Sequence, residues 1–314
     1  MMADPEWPEV YKGSIYERLK DPFVFKGVIM PAFENKEALE EMEDWKMRPD
    51  DILAIGWPRT GSYMCKHLLW NIMTNGNIPE GEDIGDHVRY INTSPDVIHA
   101  DKSGIAPTDQ GSNPLTHIDA MDKSKPRMLC GHLPYQYMPK DVKEGKVKVI
   151  LQLRNFKDAT LSHHLVWKGS EVWNSTDYTL GEWLSDQLKG GVPYGDWIDH
   201  TVGWLKHKEE LNILILQYED MIEDMVGTVQ KMAKFVGKEL CPETVSKIAQ
   251  ECTFKAMKKK PDTFEKLDIV STPYLRKGIV GDWKNHFTVA QSEEIDDALK
   301  ERMQGIGDIT FKYE

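Results

Sequence analysis

Three turns in the sequence carry residue types that bind a phosphate or a sulfate. The first is Pro58-Arg59-Thr60-Gly61-Ser62, which follows the apolar run ILAIGW and precedes a helical pattern. A flexible glycine, two hydroxyls and the N-terminus of a new helix offer hydrogen-bond donors and the positive end of a dipole to an anion. The usual phosphate loop, G-x-x-x-x-G-K-[ST], is absent, and Arg59 is the cation of this turn.

The other two basic turns lie far along the chain from the first. Arg154 follows the apolar run VKVILQL, and Ser162 lies eight residues later. Arg276 and Lys277 precede Gly278, which would allow close approach of the backbone to a ligand. An arginine at the end of a central strand is typical of a ligand clamp, because its planar fork binds two anion oxygens together. Three such turns predict one local anion pocket in an acidic protein.

Parallel strands are the elements that would bring these turns together. Short apolar runs predict buried strands, and apolar residues at helical spacing predict helices between and after them. Strand followed by helix, repeated, predicts an α/β fold, a single domain over 1–314 with a parallel β-sheet flanked by helices. Ligands of such sheets bind at the carboxyl ends of the strands, where the turns lie. The predicted strands are 52–57, 147–153 and 212–218, the predicted helices are 66–73, 196–211, 223–237 and 241–252, and the polar segment 75–125 is predicted to form long loops.

Composition excludes several classes of partner. The net charge is −12, from 39 basic and 51 acidic residues, so neither nucleic acid nor an anionic membrane surface is expected to bind. The start, MMADPEWPEVYKG, lacks the features of a secretory signal, and no apolar run is long enough to cross a membrane, which predicts a cytoplasmic protein. The four cysteines lie far apart without C-x-x-C spacing, which predicts reduced thiols and no metal site.

Three longer segments resemble the cytosolic sulfotransferases, which transfer a sulfuryl group from 3′-phosphoadenosine 5′-phosphosulfate (PAPS) to a hydroxyl or amine. WPRTGSYMCKHLL resembles the 5′-phosphosulfate loop of that family, [YF]-P-K-[ST]-G-T-T-W, and LRNFKDATLSHH resembles its R-N-P-K-D segment. YLRKGIVGDWKNHFT resembles the signature R-K-G-x-x-G-D-W-K-N-x-F almost letter for letter. The resemblance extends from about residue 50 to residue 293 and implies a P-loop-like nucleotide-binding core.

The resemblance also implies roles for individual residues. His132, in CGHLP, would be the general base, and Arg59 would neutralise charge on the departing phosphate oxygen, leaving 3′-phosphoadenosine 5′-phosphate (PAP) as the product. Contacts to the donor are implied for Arg59, Thr60, Gly61, Ser62, Tyr63, Met64, Arg154, Ser162, Tyr218, Cys252, Thr253, Phe254, Arg276, Lys277 and Gly278. The acceptor pocket of a phenol, alcohol, steroid or amine is implied near Phe23, Phe25, Tyr90, Tyr135, Tyr137 and Trp167. A homodimer is implied by K-x-x-x-T-V-x-x-x-E at Lys284, Thr288, Val289 and Glu293.

The sequence departs from the family pattern at the reacting centre. Arg59 replaces a lysine, Ser62-Tyr63-Met64 replaces T-T-W, and Cys130-Gly131-His132 replaces K-T-H, so that a second lysine near the acceptor is missing. These changes leave open a non-catalytic nucleotide-binding protein on the same scaffold. A nucleoside-phosphate kinase is a further alternative, although the sequence lacks the G-K-[ST] pair that such an enzyme needs.

Overall fold

The computed structural model describes residues 19, 21–79, 81–98, 110–168, 178–259, 275–307 and 309–314. The strands in these ranges are β1 Phe23–Phe25, β2 Val28–Met30, β3 Ile52–Ile55, β4 Val88–Tyr90, β5 Met128–Gly131, β6 Lys148–Leu153 and β7 Ile213–Gln217. The helices are α1 Lys36–Glu41, α2 Ser62–Met73, α3 Ile84–His87, α4 Pro95–Ile98, α5 Pro114–Asp119, α6 Lys140–Lys143, α7 Phe156–Lys168, α8 Leu180–Leu188, α9 Trp197–Leu205, α10 Tyr218–Glu223, α11 Met225–Val236, α12 Pro242–Glu251, α13 Phe254–Lys258 and α14 Val289–Arg302. Short 3₁₀ turns cover Tyr135–Tyr137 and Asp282–Asn285.

A five-stranded sheet in the order β4-β5-β3-β6-β7 forms the centre of the fold, and every pairing in it is parallel. Alternate residues of a strand point to opposite faces of a sheet. Leu53 and Ile55 of β3 accordingly pack into one apolar cluster, and Ile52 and Ala54 pack into another. Both faces are therefore covered, as the continuous apolar runs predict, and the predicted α/β fold is confirmed. Strands β1 and β2 form a separate antiparallel pair.

The elements predicted from the longest apolar patterns are present. The three predicted strands correspond to β3, β6 and β7, and the four predicted helices correspond to α2, α9, α11 and α12. Helix α2 begins at Ser62 rather than at residue 66, because Gly61 takes the left-handed conformation that caps it. Helix α9 ends at Leu205, before the charged residues of 206–210, which form turns leading into β7.

The prediction of long loops over 75–125 is wrong for much of the described part of that segment. It contains β4 and helices α3, α4 and α5, and β4 is the edge strand of the central sheet. Elements of three to six residues are too short to show a hydrophobic period, and β4 is held by its register with β5, in which Tyr90 lies beside Cys130. Residues 80 and 99–109 of this segment lie outside the described residues.

Two further predictions concern membrane-spanning segments and disulfide bonds. No helix within the described ranges is long and apolar enough to cross a membrane. All four cysteines fall in those ranges, and none of them forms a disulfide. The start of the chain, in which a secretory signal was not expected, lies outside the described residues.

Candidate active site

Four strands of the central sheet end beside residues that the sequence predicts to be functional. The turn at 58–62 lies just beyond β3, His132 directly follows β5, Arg154 directly follows β6, and Tyr218 directly follows β7. Because the strands are parallel, these ends lie at one edge of the sheet. The fold therefore brings together residues that are widely separated in the sequence.

The turn at 58–62 has a backbone that few residue types adopt. Gly61 has a φ of 103°, and a Cβ atom there would lie 2.9 Å from side-chain atoms of both Tyr218 and Met221, so only glycine fits. Arg59 is also left-handed, with a φ of 70°, which costs free energy for a residue with a side chain. The Thr60 hydroxyl donates to the Trp57 carbonyl at 2.7 Å and so stabilises the turn itself. The strained conformation at Arg59 is typical of a functional site.

Two buried polar atoms at this edge lack a hydrogen-bond partner among the described residues. They are Ser62 Oγ, in the first turn of α2, and Nε of Arg154. Buried polar atoms are nearly always hydrogen-bonded in native proteins, so unsatisfied ones indicate a ligand. An anionic donor such as PAPS would satisfy both, which supports the fit of this site to that group.

Arg154 connects the first turn to the C-terminal segment. Its guanidinium donates to the Arg59 carbonyl at 3.3 Å and to the Ile279 carbonyl at 3.2 Å. It also lies 4.2 Å from the centre of the Tyr218 ring, a cation–π contact. Arg59 in turn donates from Nε to Ser162 Oγ at 3.0 Å. The predicted anion contacts of the first and second turns thus form one connected cluster.

The third basic turn is organised by a carboxylate that the sequence did not single out. Asp282 is buried, and it pairs with Arg276 at 2.6 Å and with Lys277 at 2.7 Å. Burial alone would raise the pKa of Asp282, but hydrogen bonds from Lys277 and Arg276 outweigh it and hold that pKa well below the usual range. Gly278 has a φ of 68°, and a Cβ atom there would lie 2.2 Å from the Phe254 ring, so glycine is required at this contact.

These groups line a cavity that opens to solvent, and the empty space within it, including its solvent-open part, is about 600 Å³. Its walls contain Arg59, Gly61, Ser62, Tyr63, Met64, Arg154, Ser162, Tyr218, Phe254, Arg276, Lys277 and Gly278, together with Met257, Leu275 and Ile279. Three predicted donor contacts are not part of its walls. They are Thr60, whose hydroxyl is used in the turn, Cys252, which is buried in an apolar cluster, and Thr253, whose hydroxyl caps α13.

His132 lies at the same edge of the sheet, and one of its ring nitrogens is a hydrogen-bond acceptor. Its Nδ1 donates to the Gly56 carbonyl at 2.8 Å; since a carbonyl only accepts, Nε2 is the nitrogen that carries the lone pair. Burial, followed by the charges of Lys66 and Arg59, lowers the pKa of His132 to about 4, against the opposing effect of the bond to Gly56. The imidazole is therefore neutral near pH 7 and able to accept a proton.

The comparison with known families agrees with this geometry. A family model described as the sulfotransferase domain matches residues 49–307. The chain belongs to the sulfotransferase family. Sulfotransferase 2A2 of Rattus norvegicus is 32% identical over 297 residues, covering 92% of this chain and 98% of the relative. Sulfotransferase 2A1 of Homo sapiens is 29% identical over 306 residues, covering 94% of this chain and 100% of the relative.

Solved structures extend the comparison to the nucleotide. A mouse sulfotransferase complexed with PAP superimposes with a TM-score of 0.72 at 26% identity, covering 90% of this chain and 95% of that chain. Retinol dehydratase, solved in complex with androsterone and PAP, has a TM-score of 0.79 at 16% identity over 98% of this chain and 96% of that chain, which shows a shared fold. This sulfotransferase is thus an enzyme of sulfuryl transfer with PAPS as the donor, and the kinase alternative is not supported.

The aromatic residues predicted for the acceptor pocket do not all lie next to His132. The Tyr90 ring is 6.1 Å from the His132 ring, centre to centre, and Tyr194, which the sequence did not single out, is 5.4 Å away. The acceptor role of the other aromatic residues stays a prediction. They make the following contacts: Phe25 with Tyr137, Trp167 with Phe33, Tyr135 with His207, and Phe23 with the Lys36 ammonium.

Replacing Arg276 with glutamine should weaken binding of the donor product PAP by about 10- to 100-fold, which is about 1.5–3 kcal/mol, the loss expected for charge-assisted bonds. Isothermal titration calorimetry with PAP measures the change. Lys312→Gln is the matched control, because it removes another cation that pairs with carboxylates, those of Asp220 and Glu223, and none of these three residues lines the cavity. Unchanged affinity in Arg276→Gln would remove this residue from the donor site.

Proposed function

We propose that this sulfotransferase transfers the sulfuryl group to the hydroxyl of a small, largely apolar acceptor, with the donor in the cavity described above and His132 as the general base. The observation that carries the proposal is the bond of His132 Nδ1 to the Gly56 carbonyl, which leaves Nε2 as the accepting nitrogen at the edge of the sheet where the basic turns meet. The lowered pKa of this imidazole agrees with that role. A phosphate site without a base would bind the nucleotide, but it would not take the proton from the acceptor hydroxyl.

The proposed contacts divide the donor into two ends. Arg59, Gly61 and Ser62, at the N-terminus of α2, would hold the 5′-phosphosulfate, supported by the helix dipole and the unsatisfied Ser62 Oγ. The 3′-phosphate would be bound by Arg154, Ser162, Arg276, Lys277 and Gly278, and the adenosine by Tyr218 and Phe254, all of which line the cavity. Tyr63 and Met64 also line it, whereas the donor contacts of Thr60, Cys252 and Thr253 stay predictions from the family resemblance.

The proposed residues would act on a single in-line displacement. The acceptor oxygen forms a bond to sulfur while the bond from sulfur to the bridging phosphate oxygen breaks, and the electron pair of that bond leaves on the phosphate. His132 Nε2 takes the proton of the acceptor hydroxyl. Arg59 neutralises the charge that develops on the departing oxygen, an interaction stronger in the transition state than in the ground state.

An apolar acceptor is favoured by the surroundings of the base. The rings of Tyr90 and Tyr194 flank His132, and both side chains are buried. Flat aromatic walls beside a single proton-accepting group suit a ring-bearing alcohol or phenol, since such pockets are mostly apolar with a few placed polar groups. Phenols, steroids, other alcohols and amines are all acceptor classes to be compared.

The deciding experiment incubates the purified protein with PAPS and a panel containing one member of each acceptor class. Transfer to at least one hydroxyl acceptor is expected, and a chelator is expected to leave the rate unchanged, because within the described residues no group of three or more metal-binding side chains comes together. No transfer to any acceptor by a protein that binds PAP would support the non-catalytic alternative instead.

We also propose a homodimer formed through Lys284, Thr288, Val289 and Glu293, in a protein located in the cytoplasm. All four side chains are exposed, Val289 by 74%, so the motif is accessible to a second copy of the chain. The patch is small, so the dimer should be weak. Light scattering over a dilution series should show a dimer that Val289→Lys converts to monomer, and monomer at every concentration of the unchanged protein would reject the proposal.

A further inference from the structure

A buried lysine lies beside the base and has no part in the mechanism derived so far. Lys66, in the second turn of α2, is 1% exposed. Its ammonium donates to the Tyr90 hydroxyl at 3.2 Å and lies 4.4 Å from the centre of the Tyr90 ring and 5.6 Å from that of Tyr63. The helix around it is otherwise mostly apolar, in the sequence SYMCKHLLWNIM.

Burying an ammonium is costly unless it is compensated or used. Lys157 is the other lysine with a buried side chain in the part of the chain that the structure describes, and its ammonium contacts the Asp296 carboxylate at 2.7 Å. The ammonium of Lys66 contacts the Tyr90 hydroxyl and the rings of Tyr90 and Tyr63. The contact with Tyr90, the last residue of β4, places this ammonium at the carboxyl edge of the sheet.

Three facts connect Lys66 to the reacting centre. Helix α2 begins at the turn that carries Arg59, so Lys66 lies about one helical turn from that anion site. Tyr90, which Lys66 contacts, is the last residue of β4, and its ring is 6.1 Å from that of His132. The charge of Lys66 also acts directly on the imidazole, since Lys66 and Arg59 are the two cations that lower the pKa of His132.

We propose that Lys66 is a second catalytic cation, whose ammonium, together with the Tyr90 hydroxyl, contacts the oxygens of the sulfuryl group as it passes to the acceptor. This inference rests on the proposed function. Lys66 gains and loses no proton in the step: the acceptor proton goes to His132 Nε2, and the electron pair leaves on the phosphate oxygen. Arg59 then stabilises the charge on the leaving phosphate oxygen, and Lys66 stabilises the charge on the oxygens of the sulfuryl group.

A lysine at a second position, on strand β5, could also place its ammonium beside the Tyr90 hydroxyl. Cys130 of β5 lies in register beside Tyr90 of β4, and in-register residues of parallel strands point to the same face. Cys130 and Tyr90 accordingly belong to the same buried cluster, on the face covered by α2. A lysine at position 130 would therefore extend its ammonium toward the Tyr90 hydroxyl from the strand rather than from the helix.

The test removes the ammonium of Lys66 from helix α2 and introduces a lysine at position 130 of strand β5. Lys66→Met keeps the length of the side chain and removes the charge, and kcat should fall by about 100-fold, the scale of one preorganised group, while PAP affinity in calorimetry stays within about 2-fold. The double variant Lys66→Met/Cys130→Lys should recover at least about 10-fold of that loss. Lys157→Met, the control for losing a buried ammonium, should lower the melting temperature and keep kcat within about 3-fold of the unchanged enzyme.

The outcomes separate this inference from the proposed function. A kcat of Lys66→Met within about 3-fold of the unchanged enzyme would overturn the role of Lys66 and leave sulfuryl transfer intact. Cys130→Lys alone should not raise kcat; an equal increase with and without Lys66 would also overturn the role, because the gain would not be a relocation. If Lys66→Met does not fold, Tyr90→Phe removes the hydroxyl alone, and it should cost about 10-fold in kcat; no loss would overturn the shared contact. An unchanged enzyme inactive with every acceptor would instead refute the proposed function.

Discussion

Replacing His132 with alanine should abolish sulfuryl transfer and leave PAP bound with about the same affinity. The substitution removes the accepting Nε2, while the cavity lined by Arg59, Arg154 and Arg276 stays intact, because His132 is not part of its walls. A loss of about 10²- to 10⁴-fold in kcat is the usual contribution of general-base catalysis. Steady-state kinetics and calorimetry with PAP measure the two halves of this prediction.

Two checks keep the His132 prediction specific. His87→Ala removes a histidine that stacks on Trp70 and pairs with Glu82, and it should leave kcat unchanged. The pH dependence supplies the second check. Because the pKa of His132 is lowered to about 4, the base form is present above that pH, and kcat/KM should not fall as pH is lowered from 8 to 6. An acid limb near the ordinary histidine value, or activity retained in His132→Ala, would contradict the assignment of the base.

Arg59→Ala should lower the rate of sulfuryl transfer by about 10²-fold or more at saturating donor, with a smaller loss of donor affinity. The bridging oxygen gains charge only as its bond to sulfur breaks, so a cation beside it acts on turnover more than on binding. The alanine variant keeps a side chain at the left-handed backbone of position 59, and it removes the guanidinium together with its contacts, among them the bond to Ser162. Single-turnover transfer at saturating PAPS is the measurement.

Arg59→Lys is the matched variant, because it retains a cation and exchanges a planar fork for a compact ammonium. Activity should be kept in this variant and is expected to equal or exceed that of the unchanged enzyme, since an ammonium fits a single bridging oxygen well. Equal rates in the arginine and alanine enzymes would mean that this turn only binds the donor, and they would remove Arg59 from the catalytic residues.

The sequence predicts the parts of this fold that depend on local pattern. Strands β3, β6 and β7 are apolar runs long enough to be recognised, and the glycines at 61 and 278 occur in turns whose geometry requires glycine. Strand β4 was missed because three residues carry no period, and its pairing with β5 comes from the tertiary fold.

Tertiary pairing also explains the residues of the site that were missed. Asp282 belongs to the motif R-K-G-x-x-G-D-W, which the sequence analysis recognised. Its ion pairs with Arg276 and Lys277 depend on the conformation of the folded turn, so the spacing of these residues in the sequence does not predict them. Lys66 could have been noticed as a lysine within an apolar helical stretch, yet its contact with Tyr90 depends on where β4 lies. Thr60 has a residue type that suits a phosphate contact, and only the structure shows its hydroxyl donating to Trp57.

On the proposed assignment of Arg276 and Lys277 to the 3′-phosphate, their pairing with Asp282 bears on how long a nucleotide stays bound. Because the protein itself neutralises a share of the charge on these two cations, a phosphate beside them gains less free energy than it would from two uncompensated charges. A smaller gain shortens the residence time of the nucleotide. An enzyme that must discard PAP after every transfer can cycle no faster than PAP dissociates. On that assignment, we expect the buried carboxylate to weaken nucleotide binding and to raise the upper limit on turnover.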